Sequence, residues 1–240
     1  MMKVFLAALI VGGATVTGGV IGFLIKRVPK RILELLLCFA SGIMLSASVF
    51  SLIEPALCEG GMVTASFGVM LGALFIGACE CVVPNLRFVE DSDNKKELSG
   101  VVMFVFAIAI HNMPEGVAAG VSIGTDDLAV AVSVVCGIAI QNIPEGLVVV
   151  PPMLAVGVKP IKVFLIVLLT GATEVVGAFL GYFATAIFSE LMPLFLAFAG
   201  GAMLYVLCDE MIPRGRDEGR LGVYVLMSGF VLMTVINEIL

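Results

Sequence analysis

His111-Asn112-Met113-Pro114-Glu115-Gly116 and Gln141-Asn142-Ile143-Pro144-Glu145-Gly146 are two copies of one motif, thirty residues apart, inside hydrophobic segments. The lead-in is also shared, Ala-Ile-Ala-Ile before the first copy and Gly-Ile-Ala-Ile before the second. A charged carboxylate at the centre of a membrane costs roughly 2.5 to 3.5 kcal/mol. Neither segment carries a lysine or arginine that could balance the two glutamates. A bound metal cation is therefore the simplest positive partner.

The composition around the motif is that of a polytopic membrane protein. Hydrophobic residues make up 60% of the chain and charged residues 13%, whereas soluble domains average about 25% charged residues. We predict an all-α integral membrane protein with one transmembrane domain over residues 1–240. About 20 apolar residues suffice for each crossing. The predicted spans are eight: about 4–25, 32–53, 61–83, 99–123, 127–150, 161–184, 191–212 and 221–240.

The positions of the basic residues predict the orientation. Of the 13 Lys and Arg residues, 12 fall in or directly beside the loops after spans one, three, five and seven. The positive-inside rule makes those loops cytoplasmic, including the longest one at about 85–98. Both termini then lie on the outer side of the cell membrane, that is, the inner or plasma membrane. The first apolar run is longer than a signal-peptide core and its basic cluster follows it, so we expect a retained helix.

A second similarity links two distant spans. Phe39-Ala40-Ser41-Gly42-Ile43-Met44-Leu45 in span two resembles Phe198-Ala199-Gly200-Gly201-Ala202-Met203-Leu204 in span seven, which runs in the opposite direction. Inverted repeats are typical of secondary transporters, with the binding site near the midplane. We therefore predict a 3+2+3 arrangement, in which helices 1–3 and 6–8 are inverted repeats and helices 4 and 5 lie between them.

The chemistry of the doubled motif favours a divalent ion. His111 and Glu115 share one helix face, as do Gln141 and Glu145, because residues i and i+4 are neighbours. Imidazole, carboxylate and amide donors suit zinc or another borderline divalent cation rather than copper(I). Glu174, in the middle of span six, is a further candidate ligand. The predicted metal ligands are His111, Asn112, Glu115, Gln141, Asn142, Glu145 and Glu174.

The motif residues are also compatible with other functions. The polar residues could serve only as hydrogen bonds between helices. An intramembrane metal-dependent hydrolase would need a HExxH-type helix, which the sequence lacks. A monovalent cation or proton antiporter would not need so many ligands. We expect a transporter rather than an enzyme, without a prosthetic group. The expected partners are divalent metal ions and the lipid bilayer, without nucleic acid; a homodimer is left open.

At these residues the chain resembles the ZIP (Zrt-, Irt-like) family of divalent metal transporters. The resemblance covers nearly the whole length, and the HNxPEG motif of span four is its most specific part. Gln141 resembles the bacterial GufA-like branch, where glutamine is usual at this position. The resemblance implies uptake of a divalent metal, zinc first and also iron, manganese or cadmium, into the cytoplasm. One helix block would move against the other.

The resemblance also implies a binuclear metal site between helices 4, 5 and 6. His111, Glu115, Gln141 and Glu145 would bind one ion, whereas Asn112, Glu115, Asn142, Glu145 and Glu174 would bind its neighbour, with Glu115 and Glu145 bridging. Asp209 and Glu210, near the inner end of span seven, match a family position used as an exit ligand, and Glu80 could assist. The family often has Glu-Pro in span six, where this chain has Glu174-Val175.

Overall fold

The computed structural model describes residues 1–25, 29–82, 112–125, 127–155, 157–212 and 218–239. These residues form helices and no strands. The helices are α1 (Met2–Leu24), α2 (Lys30–Ser46), α3 (Glu54–Val82), α4 (residues 112–124), α5 (Leu128–Ala155), α6 (Pro160–Ile187), α7 (Met192–Val206) and α8 (Gly219–Ile239). A 3₁₀ turn at Ser189–Leu191 precedes α7, and π-helical segments follow α2 (Ala47–Ile53) and α7 (Leu207–Met211).

Most of these helices can cross a membrane. In the described part of the chain, six helical stretches are long and apolar enough to do so. One of them, Arg31–Cys79, has 49 residues, about 74 Å of helix and more than twice the hydrocarbon thickness. Gly61 divides it, because its positive φ of 73° interrupts the helix. The all-helical membrane fold is thus confirmed. The first part of predicted span four lies outside the described residues, so the count of eight spans stays a prediction.

The end of span two differs from the predicted boundary at residue 53. The chain continues as a π-helical segment, Ala47–Ile53, and then directly as helix through Pro55 to the break at Gly61. Proline cannot donate the hydrogen bond to the carbonyl four residues earlier, and its ring crowds that carbonyl. A wider π turn just before Pro55 accommodates both effects. The helix therefore ends at glycine rather than at proline.

Close backbone contacts at glycine pair the helices. A Cβ atom built on Gly18 would lie 2.1 Å from the carbonyl oxygen of Ile143, which joins α1 to α5. Gly116 and Gly177 join α4 to α6 in the same way. Gly42 and Gly229 join α2 to α8, and Gly72 and Gly201 join α3 to α7. Small residues let membrane helices approach closely where lipid offers no hydrophobic driving force.

These contacts form two groups of helices within the described chain. One group contains α1, α4, α5 and α6, and the other contains α2, α3, α7 and α8. The groups meet where α2 packs across α5. Arg31 at the start of α2 forms a 3.0 Å ion pair with Glu218 beside the start of α8. The two helices therefore begin at the same end of the bundle, as the predicted alternating topology requires.

At the centre of the first group, α1 and α6 cross at two glycines. A Cβ on Gly12 would lie 2.5 Å from the carbonyl oxygen of Gly171, and one on Gly171 would lie 2.6 Å from that of Gly12. The two backbones are thus in direct contact. The helices that carry the doubled motif, α4 and α5, lie beside this crossing because they pack on α6 and α1 respectively.

Candidate metal centre

The motif side chains that the structure describes converge inside the first helix group. Asn112 and Glu115 come from α4, Gln141 and Asn142 from α5, and Glu174 from α6. All five are buried, with Glu115 2% exposed and Gln141, Asn142 and Glu174 fully covered. Glu145 is half-buried. The structure therefore brings together six of the seven predicted ligands, and the seventh, His111, lies outside the described residues.

Glu174 is the most extensively hydrogen-bonded of the carboxylates. The Asn142 amide donates to its Oε2 over 2.6 Å, and the Asn112 amide donates to its Oε1. A carboxylate can only accept such bonds, so the NH₂ group of each amide must face it. The Oδ1 atom of Asn142 consequently points away from Glu174. Glu174 joins α4 and α5 through its two oxygens.

Three buried oxygen atoms in this cluster have no hydrogen-bond partner among the described residues. Gln141 donates from Nε2 to Glu115 Oε1 over 2.8 Å, which leaves Gln141 Oε1 and Glu115 Oε2 unpaired. The third atom is Asn142 Oδ1. An unsatisfied buried polar group costs about 1–3 kcal/mol. Because all three atoms are acceptors, a cation is the kind of ligand that would satisfy them together.

The charge in the cluster also calls for a cation. The Glu115 carboxylate is close enough to those of Glu145 and Glu174 to be repelled by both. The sequence has no lysine or arginine between residues 97 and 158 or between 163 and 213. Several carboxylates in a buried site without a nearby basic side chain repel one another unless positive charge enters. A divalent ion would supply that charge in one step.

Carboxylates alone do not make the site. Among the described side chains, no group of three or more His, Cys, Asp or Glu residues is placed to hold a metal ion. The amide oxygens of Gln141 and Asn142 would thus have to complete the coordination. Amide and carboxylate oxygens are hard ligands. The described ligand set, which does not include His111, is therefore less selective for zinc than a set of thiolates.

Of the three predicted exit residues, the structure describes the side chain of Asp209 alone. Asp209 is exposed in the π-helical segment that follows α7. The described hydrogen bonds do not connect it to Glu115 or Glu174. The side chains of Glu80 and Glu210 lie outside what the structure describes, so an exit role for these three acids stays a prediction.

Two sets of buried polar contacts involve residues that the sequence motif does not mark. Thr15 of α1 donates from Oγ1 to Glu174 Oε1 over 2.5 Å. A signal for this pairing is present in the sequence. The similar segments that begin at Phe39 and Phe198 are 159 residues apart, and the same spacing separates Thr15 from Glu174.

The second set of contacts connects three helical elements. The hydroxyls of Ser51, in the π-helical segment after α2, and Ser133 of α5 both donate to Asn237 Oδ1 of α8. Ser133, Gly137 and Gln141 follow one another at intervals of four along α5, so this group and the metal centre share a helix face. No motif marks these residues, because serine and asparagine are common between membrane helices.

Comparison with known proteins agrees with the site. A family model described as ZIP Zinc transporter matches residues 89–237. The chain is 37% identical to the zinc transporter GufA of Myxococcus xanthus, over 71% of this chain and 68% of that protein. It is 33% identical to the zinc transporter ZupT of Chlorobaculum parvum, over 96% and 95%. It is 31% identical to the zinc transporter ZIPB of Bordetella bronchiseptica, over 95% and 78%. The chain belongs to the ZIP family of metal transporters.

Proposed function

We propose that this protein takes up a divalent metal cation, zinc above all, into the cytoplasm through a centre formed by α4, α5 and α6. The observation that carries the proposal is the set of buried, unpaired acceptors on Glu115, Gln141 and Asn142. They belong to side chains that are joined to the carboxylates of Glu115 and Glu174 by hydrogen bonds, in helices that suit a membrane interior. ZIP family members are transporters, so the hydrolase alternative has no support. Similar proteins named zinc transporters support zinc as the cargo.

The centre is proposed to hold two ions. His111, Glu115, Gln141 and Glu145 would bind the first, and Asn112, Glu115, Asn142, Glu145 and Glu174 the second. Support comes from the amides, because Asn142 and Gln141 each donate to a carboxylate and keep an unpaired oxygen. Each amide would thus orient a glutamate and bind an ion at once. Nitrogen and oxygen ligands of this mixture suit zinc.

Uptake can be tested directly in reconstituted vesicles. Purified protein in liposomes that enclose a zinc-sensitive dye should raise the internal zinc signal after zinc is added outside. Liposomes without protein provide the baseline, and calorimetry on the same protein should find two zinc ions per chain. A folded protein that neither binds zinc nor raises the internal signal would contradict the proposal.

The direction of uptake rests on the proposed orientation with both termini outside. Asp127 and Lys162 are both exposed. Asp127 directly precedes α5, and Lys162 follows the other end of α5, near the start of α6. In a variant without native cysteines, Asp127→Cys should react with a membrane-impermeant thiol reagent added to intact cells. Lys162→Cys should react only after the membrane is opened. The reverse pattern would invert the orientation and the direction of transport.

The centre is proposed to lie on the pseudo-twofold axis of an inverted repeat. Support comes from matched contacts, in which residues of α1 correspond to residues of α6 that are 159 positions later. A Cβ on Gly18 would meet the Ile143 carbonyl, and one on Gly177 would meet that of Met113, the same motif position. The matched pairs are Gly12 and Gly171, Gly18 and Gly177, Gly22 and Gly181, and Gly116 and Gly146. Alternating access would then move α1, α4, α5 and α6 against the other four helices.

The neutral amides of α5 set the affinity of the proposed centre. Gln141→His should tighten zinc binding about tenfold, roughly 1.4 kcal/mol, because imidazole is the stronger ligand. Asn142→Asp should tighten the second ion by a similar factor through its added charge. Calorimetry on each variant measures both affinities. Ile143→His provides the control, since Ile143 is 37% exposed on another face of the same helix. Unchanged zinc affinity in both variants would show that these side chains have a purely structural role.

A further inference from the structure

Thr15 has a buried side-chain hydroxyl and lies outside both copies of the motif. It lies in α1, is 2% exposed, and donates from Oγ1 to Glu174 Oε1 over 2.5 Å. Its neighbours along α1 are mostly small or apolar, and no motif residue lies on that helix. Since burial of an unpaired hydroxyl is costly, the bond to Glu174 is the reason that the side chain can lie here.

Thr15 and Glu174 occupy matching places in the two crossing helices. A Cβ on Gly146 would lie 2.1 Å from the Thr15 carbonyl oxygen, and one on Gly116 would lie 2.2 Å from that of Glu174. The glycines that close the two copies of the motif therefore each rest on one of these residues. Glu174 and Thr15 thus extend from α6 and α1 into the same space between α4 and α5.

The Thr15 hydroxyl has a distinct role among the donors to Glu174. Asn112 also donates to Oε1, and Asn142 donates to Oε2. Both amides are also proposed ligands, whereas the Thr15 hydroxyl donates to Glu174 without being a proposed ligand. Threonine is stiff at χ1 because it branches at Cβ, and it adds no charge. It can therefore hold Glu174 Oε1 while the amides serve the ion.

The geometry points to Thr15 as a positioning residue of the metal centre, whose hydroxyl holds the Glu174 carboxylate where the second ion binds. The inference rests on the proposed function, since it assigns a role within the same site. Thr15 itself is not a ligand in this assignment. Without this hydroxyl, Asn112 is the remaining described donor to Glu174 Oε1. The centre should then bind the second ion more weakly and the first ion as tightly as before.

Calorimetry with zinc on the purified full-length protein tests the assignment. Thr15→Val keeps the branched shape and removes the hydroxyl, so it should weaken the second zinc about tenfold, the effect of one hydrogen bond to a charged group. Thr15→Ser restores a hydroxyl and should bind within about twofold of the wild type. In a Glu174→Gln background, Thr15→Val should change zinc affinity much less, because the two side chains act as one unit.

The outcomes separate this assignment from the proposed function. Wild-type zinc binding with an unchanged Thr15→Val affinity would overturn the role of Thr15 alone. An equal loss in the wild-type and Glu174→Gln backgrounds would also overturn it, because the hydroxyl would then act through packing. A folded wild-type protein that binds no zinc would overturn both. If Thr15→Val does not fold, Thr15→Ala removes the same hydroxyl from a helix that tolerates alanine well, and the same comparisons apply.

Discussion

Zinc uptake into vesicles is expected to stop when Glu115 is replaced by alanine. Glu115 is 2% exposed, and its Oε2 has no partner among the described residues. As a proposed bridge it would be a ligand to both ions, so its removal affects both. We expect the initial rate to fall at least about 100-fold, equivalent to roughly 2.7 kcal/mol. Uptake measured with an enclosed zinc dye gives this rate.

Two controls make the result specific to the centre. Glu115→Ala relieves the repulsion from Glu145 and Glu174 but removes the acceptor of the Gln141 amide, so the metal-free protein should stay folded, with an unfolding temperature close to that of the wild type. Glu190→Ala changes an exposed acid in the turn before α7 and should slow uptake by less than about twofold. A folded Glu115→Ala protein with wild-type uptake would remove Glu115 from the metal site.

The second large effect is expected where α1 crosses α6. A Cβ on Gly12 would lie 2.5 Å from the Gly171 carbonyl oxygen, so Gly12→Leu must push the two helices apart. Overpacking of this kind costs about 1–3 kcal/mol or more, and we expect the unfolding temperature in detergent to fall by roughly 5 °C or more. Zinc binding should weaken too, because Thr15 and Glu174 lie one turn away on the separated helices.

The adjacent glycine provides a matched control. Gly13 is exposed, and a Cβ at that position would have no atom within 4 Å. Gly13→Leu should therefore change the unfolding temperature by no more than about 1–2 °C, as expected of a substitution away from any packing contact. Equal losses in the Gly12 and Gly13 variants would show that the crossing is not the tight contact described here.

Much of the centre could be predicted from the sequence. The motif residues are polar, lie in apolar segments and repeat at a fixed interval, so their convergence followed from the i, i+4 faces of two helices. Glu174 is predicted as a further ligand because it is a carboxyl group in the middle of an apolar span. The structure places it within hydrogen-bond distance of both asparagines. An acid inside a membrane is rare enough to mark its own site.

Thr15 and the end of span two could not be predicted in the same way. A threonine in a glycine-rich helix is common wherever membrane helices pack closely, so residue type alone gave Thr15 no special meaning. The π-helical segment Ala47–Ile53 has no composition of its own. The helix continues past Pro55 only because the wider turn precedes it, and that depends on packing against neighbouring helices rather than on local propensity.

The matched positions of Thr15 and Glu174 show that similar backbones can carry unequal chemistry. Glu174 of α6 carries a carboxyl group, whereas its counterpart Thr15 of α1 carries a hydroxyl. The doubled motif has the same inequality, since His111 of the first copy stands where the second has Gln141. The stronger donors therefore belong to one half of the centre. An ion there would be bound less strongly by the amides of α5 than by the imidazole of His111 and the carboxyl group of α6, and its bonds to these amides would break first. The order in which the ligands release the ion would thus depend on side-chain chemistry, although the helices make matching backbone contacts.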